Sequence, residues 1–526
     1  MTDAYDYVIV GAGSAGCVLA ARLTEDPRIR VLVIEAGGRD SSLAVRIPAA
    51  FSKLFKTSCD WNYTTIPQRH LDGRSLYWPR GKMLGGTSSM NAQMHVRGNR
   101  ADYDEWAALG NRGWSYRDVL PYFRRSEHNE RGPSPFRGTG GPLTVSDLRD
   151  PNPATGAFIE AAVEAGLERA TDVNGERQDG VDYTQVTQRR GTRASAASAY
   201  LRPARRRGNL SVVTGAHAMR VRFDGRRATG VEYVRGGRVT TAGAAREVIL
   251  AGGAINSPQV LMLSGIGPAH HLRTMGIHVI HDLPGVGQHL QDHLVCGVIV
   301  KARSATTLTA AESIPNLLRF LIRRRGMLTS NIAEACGFFR VPRDARAPNL
   351  ELLFAPVPFV DHGLTRPTEH GLSIGVVLLQ PRSAGSVALR TANPFDAPII
   401  DPQYLSDSVG EDMRLLVEGM KLALRVVRSP ALAAHAGDPM IPDREPRTDA
   451  DLEAFIRQRA ESLYHPVGTC RMGVDDMAVV DPELRVRGLE GLRVVDASVM
   501  PTIIRGHTNS PTIMIAERAA DLIRGG

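Results

Sequence analysis

The run Gly11-Ala12-Gly13-Ser14-Ala15-Gly16 constrains this chain more than any other feature. It follows Tyr7 to Val10, which read as a buried strand, and it opens Ala15 to Leu23, which read as an apolar-faced helix. Val31 to Glu35 read as a second buried strand, so the chain begins with a strand-helix-strand unit of a parallel sheet. Glycines at these places permit a tight turn, close approach of a diphosphate to the helix N-terminus, and close packing of helix on strand. Glu35, with Ala36 after it, is placed to accept hydrogen bonds from the ribose hydroxyls of an adenine dinucleotide, and an acid there disfavours a 2′-phosphate. This motif alone does not separate FAD from NAD.

A chain of 526 residues, 43% of them hydrophobic, buries a large core and is expected to hold two or three packed units. The formal charge of +9 admits an anionic partner or an arginine-rich surface. Arg205, Arg206 and Arg207 lie between Pro203 and Gly208 with no interleaved aromatics, which reads as a solvated turn. A nucleic-acid-binding protein is the rival reading, and it rests on basicity alone. Cys17, Cys59, Cys296, Cys336 and Cys470 are scattered and form no Cys-x-x-Cys pair, against a disulfide scaffold or zinc ribbon. Met1 to Tyr7 lack the basic region and apolar core of a secretory signal, which leads to the expectation of a cytoplasmic enzyme. No apolar stretch is long enough to span a bilayer, and peripheral membrane contact stays open. Leu317 to Phe339 mix apolar residues with Arg323, Arg324 and Arg325; because the pattern breaks at Gly326, they read as a substrate-domain helix and turn in preference to a membrane-surface element.

Ser41 to Asn99 are irregular and rich in Gly, Pro and aromatics, as expected of a segment laid across a ligand. Glu247 to Ala251 read as a strand ending in Gly252-Gly253, and Ser257-Pro258 as the start of a helix running to about Ser264. From about Lys301 to Pro446 the character changes. Ser373 to Leu379 and Ser386 to Leu389 read as antiparallel strands, and Glu411 to Val427 as a helix. Leu492 to Asp496 return to a strand, and Thr512 to Ile523 read as a closing helix. His289 and His293 sit four apart, a spacing that on a helix suits a metal, but no metal is expected there.

Four further stretches carry a resemblance. Arg80-Gly81-Lys82-Met83-Leu84-Gly85-Gly86-Thr87-Ser88-Ser89-Met90-Asn91 resembles the first signature of the glucose-methanol-choline (GMC) oxidoreductase family, and Gly253 to Gly267 its second. Tyr464-His465-Pro466-Val467-Gly468-Thr469-Cys470-Arg471-Met472-Gly473 and Gly506-His507-Thr508-Asn509-Ser510-Pro511-Thr512 resemble its catalytic segments. The resemblance is closest to bacterial choline dehydrogenase-like and alcohol dehydrogenase-like members. It implies an α/β chain with a discontinuous Rossmann-like FAD-binding domain, expected over 1–155, 208–297 and 458–526, with 41–99 covering the cofactor. A substrate domain on an antiparallel sheet is expected over 156–207 and 298–457.

On this resemblance Arg80, Gly81, Met83, Gly85, Gly86, Ser88, Asn91, Ala92 and Met94 are expected at the flavin and diphosphate, where small side chains and polar groups let a flat ring approach backbone. Ala251, Gly252, Asp496, Ala497, His507, Pro511 and Thr512 join Gly11, Gly13, Ser14, Ala15, Gly16 and Glu35 as the remaining expected FAD contacts. Met90 stands where some members attach FAD through histidine, so dissociable FAD is expected. His465 matches the family base. Removing an alcohol's hydroxyl proton while hydride leaves the adjacent carbon calls for a base of near-neutral pKa. The alignment, anchored by Pro511, Thr512 and Glu517, gives Asn509 as its partner for the substrate oxygen, with His507 two residues away as the alternative. Phe354, Phe359 and Tyr464 are candidate substrate contacts. A non-sugar primary alcohol is the expected substrate, and oxygen, a quinone or another carrier the expected acceptor. Hydroxynitrile lyases and a photodecarboxylase share this scaffold and stand as the alternatives.

Overall fold

The computed structural model describes residues 5–365 and 367–525. Tyr5–Val10 and Val31–Glu35 pair in parallel, Val8 beside Leu32, with the helix Ser14–Leu23 between them. An added Cβ at Gly16 would stand 1.9 Å from the Gly11 carbonyl oxygen, so only glycine lets the helix lie this close to the turn. Leu210–Thr214 extends the parallel sheet beyond Val31–Glu35. On its other side Tyr5–Val10 pairs with the end of Arg238–Leu250, which Leu492–Val494 joins, also in parallel. The first half of that long strand instead pairs antiparallel with Arg227–Arg235, and that with Ala216–Asp224. The architecture is α/β with a Rossmann-like parallel core.

A second seven-stranded sheet is antiparallel: Ala436–Ile441, Leu294–Ala302, Gly371–Leu378, Leu350–Ala355, Ala335–Phe339 and Gly180–Tyr183 in that order, with Glu461–Ser462 on Leu294–Ala302. Leu352, Phe354, Leu372, Val376 and Leu294 share one buried cluster with the helices Pro153–Glu164 and Glu411–Arg428. Val295, Gly297, Leu353, Ala355, Ser373 and Gly375, the interleaved residues, line a cavity. Period-two alternation thus splits the sheet into a packing face and a cavity face.

Several boundaries differ from the sequence reading. Ala194 to Ala204 pack in the first core, although 156–207 was expected with the substrate domain, because Tyr200 and Leu201 fill the cluster around Ser14–Leu23. Leu294–Ala302 and Glu461–Ser462 are strands of the second sheet, although both begin inside segments expected in the first domain. The helix expected from Ser257 starts at Gly253, because the Asp496 carboxylate accepts the Gly253 amide at 2.8 Å and does the work of a cap. Pro258 then falls inside it and cannot donate to the Ala254 carbonyl; Thr469 Oγ1 donates to that oxygen at 2.6 Å instead. The closing helix likewise begins at Asn509, with Pro511 in its first turn.

Candidate active site

A cavity of about 620 Å³ runs from Glu35 and Ala36, past Gly11, Gly13, Ser14 and Ala15, to His465 and His507. Gly81, Gly86, Ser88, Asn91, Ala92, Met94, Ala251, Gly252, Ala497, Asn509 and Thr512 also line it. Arg80 lines it too and donates through Nη2 to the Tyr464 carbonyl at 2.5 Å. Four expected contacts do not reach it. Gly16 packs under the Gly11 carbonyl, Met83 is buried in an apolar cluster, Gly85 donates its amide to Ala12 at 2.7 Å, and Pro511 is buried in the closing helix. They shape the turns that carry the lining. Asp496 borders the cavity, but its carboxylate already accepts from Gly253 N, Ser257 Oγ, Ser498 N and Ser498 Oγ at 2.6 to 2.8 Å. It is a strut between strand and helix, with no acceptor capacity left for a ligand.

The nucleotide end fits an adenine dinucleotide. The helix Ser14–Leu23 has no side-chain cap and no acid in its first turn, so free amides face the cavity where a diphosphate is stabilised. Gly11 has φ of +102°, and a Cβ on Gly86 would stand 2.8 Å from Gly13 Cα, so both loops meet as bare backbone. Glu35 accepts Ala12 N and Gly37 N at 2.8 Å each, one per oxygen, which leaves each oxygen a further lone pair for a ribose hydroxyl. Burial raises its pKa to about 7.

At the other end three imidazoles converge. His293 Nδ1 lies 2.9 Å from His465 Nδ1, and the His465 and His507 ring centroids are 4.9 Å apart, edge to face. The network assigns the protons. His293 Nε2 sits 3.1 Å from the Leu379 carbonyl, which only accepts, so it carries hydrogen. Burial, then the His507 charge, lowers the His293 pKa to about 3, so its Nδ1 is a lone pair. His465 therefore donates through Nδ1, and its own lone pair is on Nε2. Burial, then His507 and His293, hold the His465 pKa well below 6.5.

The backbone at His465 is fixed with equal care. Asp292 Oδ1 accepts the His465 amide at 2.6 Å, while Oδ2 accepts Ser462 Oγ at 2.5 Å and the Tyr404 hydroxyl. Tyr464, just before His465, is held at φ +67°, a strained conformation for a bulky residue, by Ser462 and Arg80. His507 is tied to the second sheet: its Nε2 lies 3.0 Å from Oε1 of the fully buried Glu351.

His465, His507 and Asn509 all line the cavity. Asn509 accepts Ser14 Oγ at 2.8 Å, and the His507 ring lies beside that of His465. The helix begins at Asn509, with its side chain toward Ser14, while His507 lies in the preceding loop. Phe354 is corrected: it is fully buried on the packing face, stacked 4.7 Å from Phe158. Phe359 and Tyr464 do line the cavity, with Phe51 and Phe55. His289 lies in the extended stretch Gln288–Leu290, so the helical spacing that would pair it with His293 is not formed. Sequence reasoning missed Asp292, Glu351 and the His293 contact. It also missed Gln93, a buried cavity residue at φ +61° whose side-chain amide has no hydrogen-bond partner among the described residues.

Two models, both described as GMC oxidoreductase, match residues 5–295 and 381–516. An alcohol dehydrogenase [acceptor] of Pseudomonas putida is 45% identical over 531 residues, covering 99% of this chain and 95% of the relative. The mitochondrial choline dehydrogenase of Homo sapiens is 45% identical over 538 residues, covering 99% and 90%. Among solved structures, pyridoxine 4-oxidase from Mesorbium loti superposes with a TM-score of 0.91 at 33% identity, over 99% of each chain.

Proposed function

The chain belongs to the GMC oxidoreductases, FAD enzymes acting on alcohols, and on that premise we propose that it oxidises a primary, non-sugar alcohol to the aldehyde. The observation that carries this reading is the 2.9 Å contact between His293 Nδ1 and His465 Nδ1, which occupies that nitrogen and leaves Nε2 as the base of a residue lining the cavity. Bound FAD, held without a covalent link where Met90 lines the site, supplies the hydride acceptor. His465 Nε2 takes the hydroxyl proton. His507, anchored by Glu351, makes the second polar contact to the substrate oxygen. Gly11, Gly13, Ser14, Ala15 and Glu35 would hold the dinucleotide.

The substrate class follows from the wall beyond the histidines. Phe51, Phe55, Ile332, Phe359 and Val360 suit an aliphatic or benzylic chain. Glu461 lies in the same cavity: Arg74 takes its Oε1, Oε2 has no hydrogen-bond partner among the described residues, and burial raises its pKa to about 7. Oε2 is the group an ammonium headgroup would meet, so choline is the comparison substrate. Anaerobic titration of the yellow holoprotein tests this. Aliphatic and benzylic primary alcohols are expected to bleach the flavin and sugars to leave it oxidised, and the rate with choline measures whether Glu461 receives an ammonium. A flavin that no alcohol bleaches would overturn the reading in favour of a non-redox use of the scaffold. Recovery on readmitting air then distinguishes oxygen from a quinone or other carrier as acceptor.

His293 acts through His465 and is a positioning residue. His293→Phe removes the acceptor for a buried N–H, at a cost of about 1 to 3 kcal/mol, and frees His465 to take the wrong tautomer. Flavin reduction is expected to slow roughly 10- to 100-fold at unchanged FAD content, with partial rescue in His293→Gln, whose amide oxygen can accept. Equal rates in both variants would make His293 packing alone.

A further inference from the structure

The helix Ile314–Arg323 is built the wrong way round for a globular surface. Ile314, Leu318, Leu321 and Ile322 follow the i, i+4, i+7, i+8 spacing of an apolar stripe, which ordinarily faces a core. Here they are 76%, 51%, 42% and 77% exposed, while Phe320 alone is buried, against Ile47, Ala50 and Leu328. Arg319 and Arg323, one turn apart beside the stripe, are exposed and pair with no carboxylate among the described residues. Leu43 and Leu364, also exposed, flank the adjoining turn Pro48–Leu54. Among the described residues no helix is long and apolar enough to cross a membrane.

We propose that Ile314–Arg323 is a docking element that lies on a bilayer rich in anionic phospholipid, its apolar stripe entering the acyl boundary and Arg319 and Arg323 meeting the headgroup phosphates. An amphipathic helix with cations beside its apolar face fits that partner. The complementarity is with negative charge, and a ten-residue helix, about 15 Å long, offers a patch small beside a stable dimer interface. The placement also has a use. Phe320 packs on Ala50, and the next residue, Phe51, lines the cavity together with Ile332. The cavity wall is therefore separated from the docked surface by a thin layer of side chains, which suits exchange of membrane-dissolved reactants. The docking stands independently of which alcohol is oxidised.

The test is co-sedimentation of the holoprotein with vesicles of phosphatidylcholine alone or enriched in phosphatidylglycerol, at low and high salt. Salt-sensitive binding to the phosphatidylglycerol vesicles is expected. It should fall at least about tenfold in Leu318→Ser/Ile322→Ser and in Arg319→Gln/Arg323→Gln, with flavin absorbance and alcohol-driven reduction in solution unchanged. No vesicle binding by the intact holoprotein overturns the proposal, as does binding that ignores either pair of substitutions. Sedimentation velocity provides the rival outcome: a concentration-dependent dimer abolished by Leu318→Ser/Ile322→Ser would assign the stripe to a second copy of this chain.

Discussion

His465→Ala is expected to slow alcohol-driven flavin reduction by about 10²- to 10⁴-fold while FAD stays bound, since the diphosphate and ribose contacts lie at the far end of the cavity. Rapid mixing under anaerobic conditions measures the rate, and the visible spectrum measures FAD content. The pH dependence adds a second constraint. Because burial, then His507 and His293, hold the His465 pKa well below 6.5, its Nε2 is unprotonated from that pH upward. The wild-type reduction rate is therefore expected to be flat above about pH 6.5 and to decline only on acidification far below it. A variant that loses FAD would recast His465 as structural, and a wild-type rate that climbs through pH 6.5 to 8 would place the base elsewhere.

The second large effect separates two residues that lie side by side in the sequence. His507→Ala is expected to lower the reduction rate about a hundredfold, the usual order for losing one polar contact to a developing oxyanion. Asn509→Ala is expected to leave that rate within a few fold and to weaken FAD retention, because its partner is Ser14 at the diphosphate end. Rates and FAD dissociation measured on both proteins settle the assignment. If Asn509→Ala carries the rate loss, the alignment-based pairing is restored and the edge-to-face contact of His507 with His465 has no catalytic meaning.

What the sequence made legible was local. The strand-turn-helix at Tyr5–Leu23 and the acid at Glu35 were readable because glycine turns and buried strands carry their chemistry within a few residues. His465 was readable as the candidate base because it sits in a contiguous segment. The partners around it were not: Asp292 and His293 come from the link before Leu294–Ala302 and Glu351 from Leu350–Ala355, all more than a hundred residues away, and no periodicity reports which side chains meet. The surroundings of Asn509 were not legible for a smaller reason: the helix starts there, three residues before the expected Thr512, and its side chain accepts from Ser14. Phe354 failed on alternation. One register step on Leu350–Ala355 separates the cavity from the packing face, and sequence alone leaves that phase open.

The division of the second sheet into two interleaved faces bears on how such an enzyme changes over time. Ala355 can vary in size without disturbing Leu352 and Phe354, because adjacent positions answer to different demands. Substrate range can therefore drift by replacement there while the packing that keeps the domain folded is left intact. Other positions on the cavity face are held: Val295 and Leu353 pack against a smaller buried cluster, Ser373 Oγ joins the Phe359 amide to the Val357 carbonyl, and Glu351 anchors His507, so drift along these strands is bounded.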